Sequence, residues 1–81
     1  MGWTPETKPF PVFAIRVREA LAAKEMTQEA MARALDVSAR TGQKWATGES
    51  VPGGRKLVEL SVLLEREPAW FFSEPEKGAA A

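Results

Sequence analysis

Arg40, Gln43 and Lys44 lie close together on the short stretch Ala39–Ala46, between a serine and a glycine. Arginine can pair bidentately with the edge of a guanine, and lysine can reach a guanine or a phosphate. If the stretch is helical, Thr41 and Trp45, four residues apart, share the inward stripe, and Arg40, Gln43 and Lys44 face outward. The chemistry on offer is recognition. Competing chemistries lack their residues: there is no histidine and no cysteine. That removes the commonest general base, the commonest zinc ligand, and any disulfide or thiolate metal site. There is no phosphate-cradling glycine motif and no evident pair of carboxylates set for acid–base work. The residues therefore point to a binding protein, with no enzyme activity, no catalytic residue, no metal and no cofactor expected.

The elements that must position these side chains run from Thr27 to Gly48. Thr27 is a good N-cap, since its hydroxyl can accept a backbone N–H that the first helical turn leaves unpaired. Ala30, Met31, Ala34 and Leu35 then recur at the spacing of one helix face. Asp36 interrupts the pattern, Val37 is apolar, and Ser38 is a second N-cap. A second short helix follows through Trp45 and stops at Gly48, a residue suited to the left-handed position after a helix. Two short helices joined by a tight turn are the outline of a helix-turn-helix, whose second helix commonly lies in the DNA major groove.

The stretch resembles the lambda-repressor-like, Cro/XRE-type DNA-binding domains. The residues that carry the likeness are Thr27-Gln28, Met31-Ala32, Leu35, Val37-Ser38, Thr41, Trp45 and Gly48, and it extends from about Val12 to Phe72. The resemblance implies an all-α, five-helix domain. It places base-reading positions on Ala39, Arg40 and Lys44, with Gln43 at the edge, and Ala39 could touch a thymine methyl. It places a phosphate contact on Gln28, at a helix N-terminus where N–H groups and the positive dipole end favour anions. Thr41, Thr47, Ser50, Arg55 and Lys56 are the further phosphate candidates, and Glu49 opposes them by charge. Three positions depart from the family pattern. Glu25 stands where relatives often carry glycine. Gly42 stands where they carry a β-branched residue packed against the preceding helix. Arg66 stands where many have a buried aliphatic. Gly42 is expected either to leave a gap that Met31 fills or to let the two helices approach more closely.

The rest of the chain frames this unit. Residues 1–11, with Pro5, Pro9 and Pro11, read as an extended arm carrying Trp3 and Phe10. Its rings pack back on the domain, or the arm reaches a groove or a partner subunit; Lys8 is its only positive side chain, which favours packing. A first helix is expected over Val12–Lys24, with Phe13, Val17, Ala20 and Leu21 inward and Arg16, Arg18 and Glu19 solvated. The second and third helices are expected over Gln28–Leu35 and Ala39–Ala46. A fourth spans Arg55–Leu64, with Leu57, Leu60, Leu63 and Leu64 inward. A fifth begins near Pro68, a residue tolerated in a first helical turn. Trp70, Phe71 and Phe72 cannot all point inward. One or two should close the core, and the aromatic group with Val58 and Val62 is the candidate dimer patch. Residues 73–81 read as a disordered tail, leaving residues 12–72 as the domain.

At 81 residues the chain reads as one small domain, with a limited core and no added sensor domain expected. Its net charge is zero. The distribution is uneven, however. Thr27–Lys56 holds Arg33, Arg40, Lys44, Arg55 and Lys56 against Glu29, Asp36 and Glu49, a net of +2. Leu57–Ala81 holds Arg66 and Lys77 against Glu59, Glu65, Glu67, Glu74 and Glu76, a net of −3. A small cationic face gives weak, salt-sensitive attraction to phosphates. Neither a signal peptide nor an apolar run near the ~20 residues of a membrane span is visible, so no membrane and a cytoplasmic location are expected. The expected function is sequence-specific binding of double-stranded DNA, at a pseudo-palindromic operator, by a homodimeric transcriptional regulator, a repressor first. The alternative is a helix-turn-helix used as a protein-interaction module, antitoxin- or adaptor-like, with a protein partner and little DNA affinity.

Overall fold

The computed structural model describes residues 8–74. In chain order the helices are α1 (Pro11–Lys24), α2 (Gln28–Ala34), α3 (Ala39–Thr47) and α4 (Gly54–Leu64), followed by a 3-10 turn over Pro68–Phe72. The expected fifth helix is thus a single 3-10 turn. Trp3, with residues 1–7 of the arm and 75–81 of the tail, lies outside the described residues.

α1 starts at Pro11, one residue earlier than expected, with the proline in the first turn where its missing N–H costs nothing. It buries Phe13, Ala14, Val17, Ala20 and Leu21. The helix closes through Glu25, which adopts the left-handed conformation with φ 55°, while the Met26 N–H donates to the Leu21 carbonyl. A non-glycine residue pays strain there that glycine does not. Glu25→Gly is therefore expected to stabilise the domain by about 0.5–1 kcal/mol, the relieved strain less glycine's extra chain entropy. A rise in urea midpoint at unchanged m-value checks it.

The Thr27 hydroxyl accepts the Ala30 N–H at 3.0 Å, capping α2. The turn Leu35–Ser38 holds Asp36 at φ 59°, which a short polar side chain tolerates. The Ser38 hydroxyl then accepts the Thr41 N–H at 3.1 Å, capping α3. Gly42 faces α2 at close range. A Cβ there would stand 2.9 Å from the Ala32 Cβ, 3.3 Å from the Gln28 carbonyl and 3.6 Å from the Met31 methyl. The missing side chain is thus answered by close approach of the helices, with the fully buried Met31 alongside.

Phe13, Val17, Leu21, Met31, Leu35, Trp45, Leu60, Leu64 and Phe71 share one core. The 3-10 turn splits the three consecutive aromatics. Phe71 is buried, its ring centroid 5.7 Å from that of Phe13. Trp70 lies between two guanidinium groups, Arg16 and Arg66, each 4.7 Å from its ring centroid. Phe72 is half exposed and rests on Phe13. Two arginines expected in solvent are engaged. The Arg16 Nε also donates to the Ser73 carbonyl, and the Arg18 Nε donates to the Ala46 carbonyl at 2.8 Å, tying α1 to the end of α3. Arg66, where relatives bury an aliphatic, keeps its charge outside by stacking on Trp70.

α4 ends through Glu65, also left-handed, whose carboxylate pairs with Lys24 of α1. The Lys24 ammonium, first by hydrogen bond and then by charge, holds this carboxyl below the usual range. Its contribution is complete above the ordinary carboxylate pKa and is lost as pH falls through the lowered value.

Candidate nucleic-acid interface

α2 and α3 present their N-terminal ends to one side of the molecule. Between them runs a shallow groove lined by Gln28, Glu29, Ala39, Arg40 and Gln43. Ala39, Arg40 and Gln43 are exposed; Gln28 is half-buried. The two caps create this arrangement, because Thr27 and Ser38 start the helices at the positions that bring Gln28 and Ala39 to the groove. Trp45, on the opposite stripe of α3, is buried and anchors the helix to the core. Arg40 and Gln43, three residues apart on one face, therefore stand outward on a supported helix. Lys44 is half-buried and outside the groove lining.

Three of the expected contact residues are placed differently from the sequence reading. Lys56 turns inward: its Nζ donates to the Leu35 carbonyl at 2.5 Å and pairs with Glu59 at 3.1 Å. That position satisfies a carbonyl at the end of α2 and holds α4 to it, so Lys56 serves the fold instead of offering an unshared cation. The Thr41 hydroxyl accepts from Ser38 at 3.0 Å and so belongs to the α3 cap. Phe71 is fully buried and presents no surface to a second copy. Thr47 and Ser50 are half-buried at the end of α3, and the Thr47 hydroxyl donates to the Gln43 carbonyl at 3.0 Å. Arg55 is exposed in the first turn of α4.

The structure also brings forward two charged residues to which the sequence reading gave no role at the site. Glu29 lines the groove beside Ala39 and also a second concavity with Ala32, Arg33 and Val37. Its place next to Gln28 in the first turn of α2 was the available signal. Lys8 pairs with Glu49 at 3.6 Å, beside the end of α3, a contact between positions 8 and 49 that no local pattern carries.

A family model described as helix-turn-helix matches residues 17–71, from the middle of α1 to the buried phenylalanine of the 3-10 turn. The chain belongs to this helix-turn-helix family, the Cro/XRE-type group that the motif residues resemble. It is similar to the HTH-type transcriptional regulator DicA of Escherichia coli (strain K12), with 36% identity over 52 residues, covering 63% of this chain and 38% of DicA. It is equally similar, at 36% over 58 residues, to the HTH-type transcriptional regulator PrtR of Pseudomonas aeruginosa, covering 72% of this chain and 22% of PrtR. The chain thus matches well under half the length of either regulator. No solved structure matches it at a significant level. The family assignment takes in the α2–turn–α3 unit and all the groove residues. Among the described residues no cluster of acidic side chains is placed to hold a metal ion, and no helix is long and apolar enough to cross a membrane.

Proposed function

We propose that this domain binds double-stranded DNA sequence-specifically as part of a dimeric transcriptional regulator, with α3 in the major groove. The observation that carries the reading is the groove that gathers Gln28, Ala39, Arg40 and Gln43 at the N-termini of two adjacent helices. Arg40 pairs bidentately with a guanine, Ala39 meets a thymine methyl and Gln43 reads from the groove edge. Lys44 takes a guanine or a phosphate. Gln28 takes a phosphate, helped by the dipole of α2. Thr47, Ser50 and Arg55 complete the backbone contacts. Occupying an operator in this way blocks polymerase, so repression is the regulatory sign we assign, and the cytoplasm is the compartment where such a domain meets its DNA.

The dimer is formed through α4. Val58 and Val62 are 54% and 70% exposed and line an apolar groove with Ala34, Leu35 and Leu63. Trp70, held between Arg16 and Arg66, and Phe72, resting on Phe13, are the aromatic candidates for the same patch. Two copies related by a two-fold axis set their α3 helices one turn of DNA, ~34 Å, apart and read a pseudo-palindrome. Zero net charge and that apolar groove also fit a second reading, a domain that docks a protein partner and has little DNA affinity.

Selection from a random duplex library at near-physiological salt tests both. An enriched pseudo-palindrome establishes the dimeric reader and its half-site spacing; a folded protein that enriches nothing leaves the protein-docking reading. On the enriched site, Arg40→Ala is expected to cost about 1–3 kcal/mol and to relax preference at one base pair per half-site. Its melting temperature should stay near wild type, since Arg40 is exposed. Unchanged affinity and preference would remove Arg40 from the reading set.

A further inference from the structure

The segment before α1 is fastened to the end of α3. The Phe10 N–H donates to the Gly48 carbonyl at 2.9 Å. Gly48 closes α3 at φ 86°, and a Cβ there would meet the Phe10 carbonyl at 2.8 Å and the Lys8 Cβ at 3.3 Å. The glycine therefore both terminates α3 and admits the backbone of Lys8–Phe10 against it. This contact delivers the Lys8 ammonium to the loop that follows α3, where it pairs with the Glu49 carboxylate at 3.6 Å. Both side chains keep substantial exposure, 34% and 45%. The Glu49 N–H donates to the Lys44 carbonyl, and the Thr47 hydroxyl stands 3.5 Å from the Glu49 carboxylate. One corner thus holds a cation, a carboxylate and the Thr47–Ser50 loop.

We propose that Lys8 is a DNA-phosphate contact held at this corner, and that Glu49 competes with the phosphate for it. The proposal rests on the DNA-binding reading above. A carboxylate this close to an incoming phosphate repels it and, where a cation is paired with it, also holds that cation back. In the free protein Lys8 supplies that cation. On DNA the ammonium moves its charge toward the phosphate, and the residual carboxylate sets an upper limit on affinity. An exposed pair at this distance is worth little by itself, so the exchange is easy. The corner contributes to affinity for any sequence and leaves base preference untouched, because phosphate contacts carry no sequence information directly.

The test is a double-mutant cycle of Lys8→Gln and Glu49→Gln, measuring affinity for the library-selected duplex from low to high salt. Lys8→Gln is expected to reduce the magnitude of the salt slope by about 1 and to lower affinity about fivefold near 0.15 M salt, equally on specific and random duplexes. Glu49→Gln is expected to raise affinity, and by a smaller factor when Lys8 is already glutamine, since the competition is then gone. Lys8→Gln with unchanged affinity and slope, beside a wild type that binds, overturns the phosphate role of Lys8 alone. Equal gains from Glu49→Gln in both backgrounds overturn the competition. A wild type that binds no duplex at any salt overturns this proposal together with the DNA-binding reading. Melting temperatures near wild type are expected throughout, because neither side chain is buried.

Discussion

Phe71→Ala is expected to cost roughly 3–5 kcal/mol, enough to leave much of the protein unfolded at moderate temperature. Phe71 has no exposed surface, and its ring lies 5.7 Å from Phe13 and 5.1 Å, edge-on, from Trp70. It is the bolt between the 3-10 turn and α1, and truncation leaves a cavity that the short turn cannot close without losing the Trp70 stack on Arg16 and Arg66. The adjacent Phe72→Ala removes a ring that is already 48% exposed and should cost far less. Thermal unfolding of the two variants side by side decides it. For a domain of this size the Phe71 change should lower the midpoint by at least ~12 °C, against a few degrees for Phe72. Equal shifts would mean that the two rings share the burial and that the 3-10 turn sits differently on α1.

Trp45→Ala is expected to be as severe, again roughly 3–5 kcal/mol, for a reason closer to function. Trp45 is 4% exposed and supplies most of the buried volume of α3, whose other inward positions are Gly42 and Ala46. A nine-residue helix with so little else to bury depends on that one side chain for its place. Its removal should therefore abolish binding of the selected duplex along with the cooperative unfolding transition. Arg40→Ala should weaken binding and relax preference at its own base pair while keeping the transition. The pair separates loss of the helix from loss of a contact. A near-normal melting temperature for Trp45→Ala would show that α3 is held by something other than its tryptophan.

Much of the fold was legible because it is locally encoded. Thr27 and Ser38 cap their helices through their own side chains, Gly48 closes α3 in the left-handed conformation, and Leu60 and Leu64 are buried as their spacing required. The exposed character of Ala39, Arg40 and Gln43 follows from the same period, once Trp45 is assigned inward. Thr41 has a local partner, the Ser38 cap, whereas the partners of Lys56 and Phe71 lie outside their own elements. Lys56 has a long flexible side chain on the flank of α4, and only the position of the end of α2 shows that a carbonyl lies within its reach. Arg16 and Arg18 read as solvated on a helical wheel, yet one meets Trp70 and the other a carbonyl of α3, both distant in sequence.

The sequence by itself determined the four helices, their caps, the face of α3 that looks outward and the family to which the chain belongs. Those features depend on hydrophobic period and side-chain-to-backbone bonds within a few residues, which any short stretch carries with it. Tertiary structure decided which of three adjacent aromatics is core, whether Gly42 is a gap or a close approach, and that Lys8 reaches Glu49. Each of these turns on the distance between elements separated by tens of residues. That distance is set by how the whole core packs, where shifts of an ångström change which side chain is buried and which is left to bind.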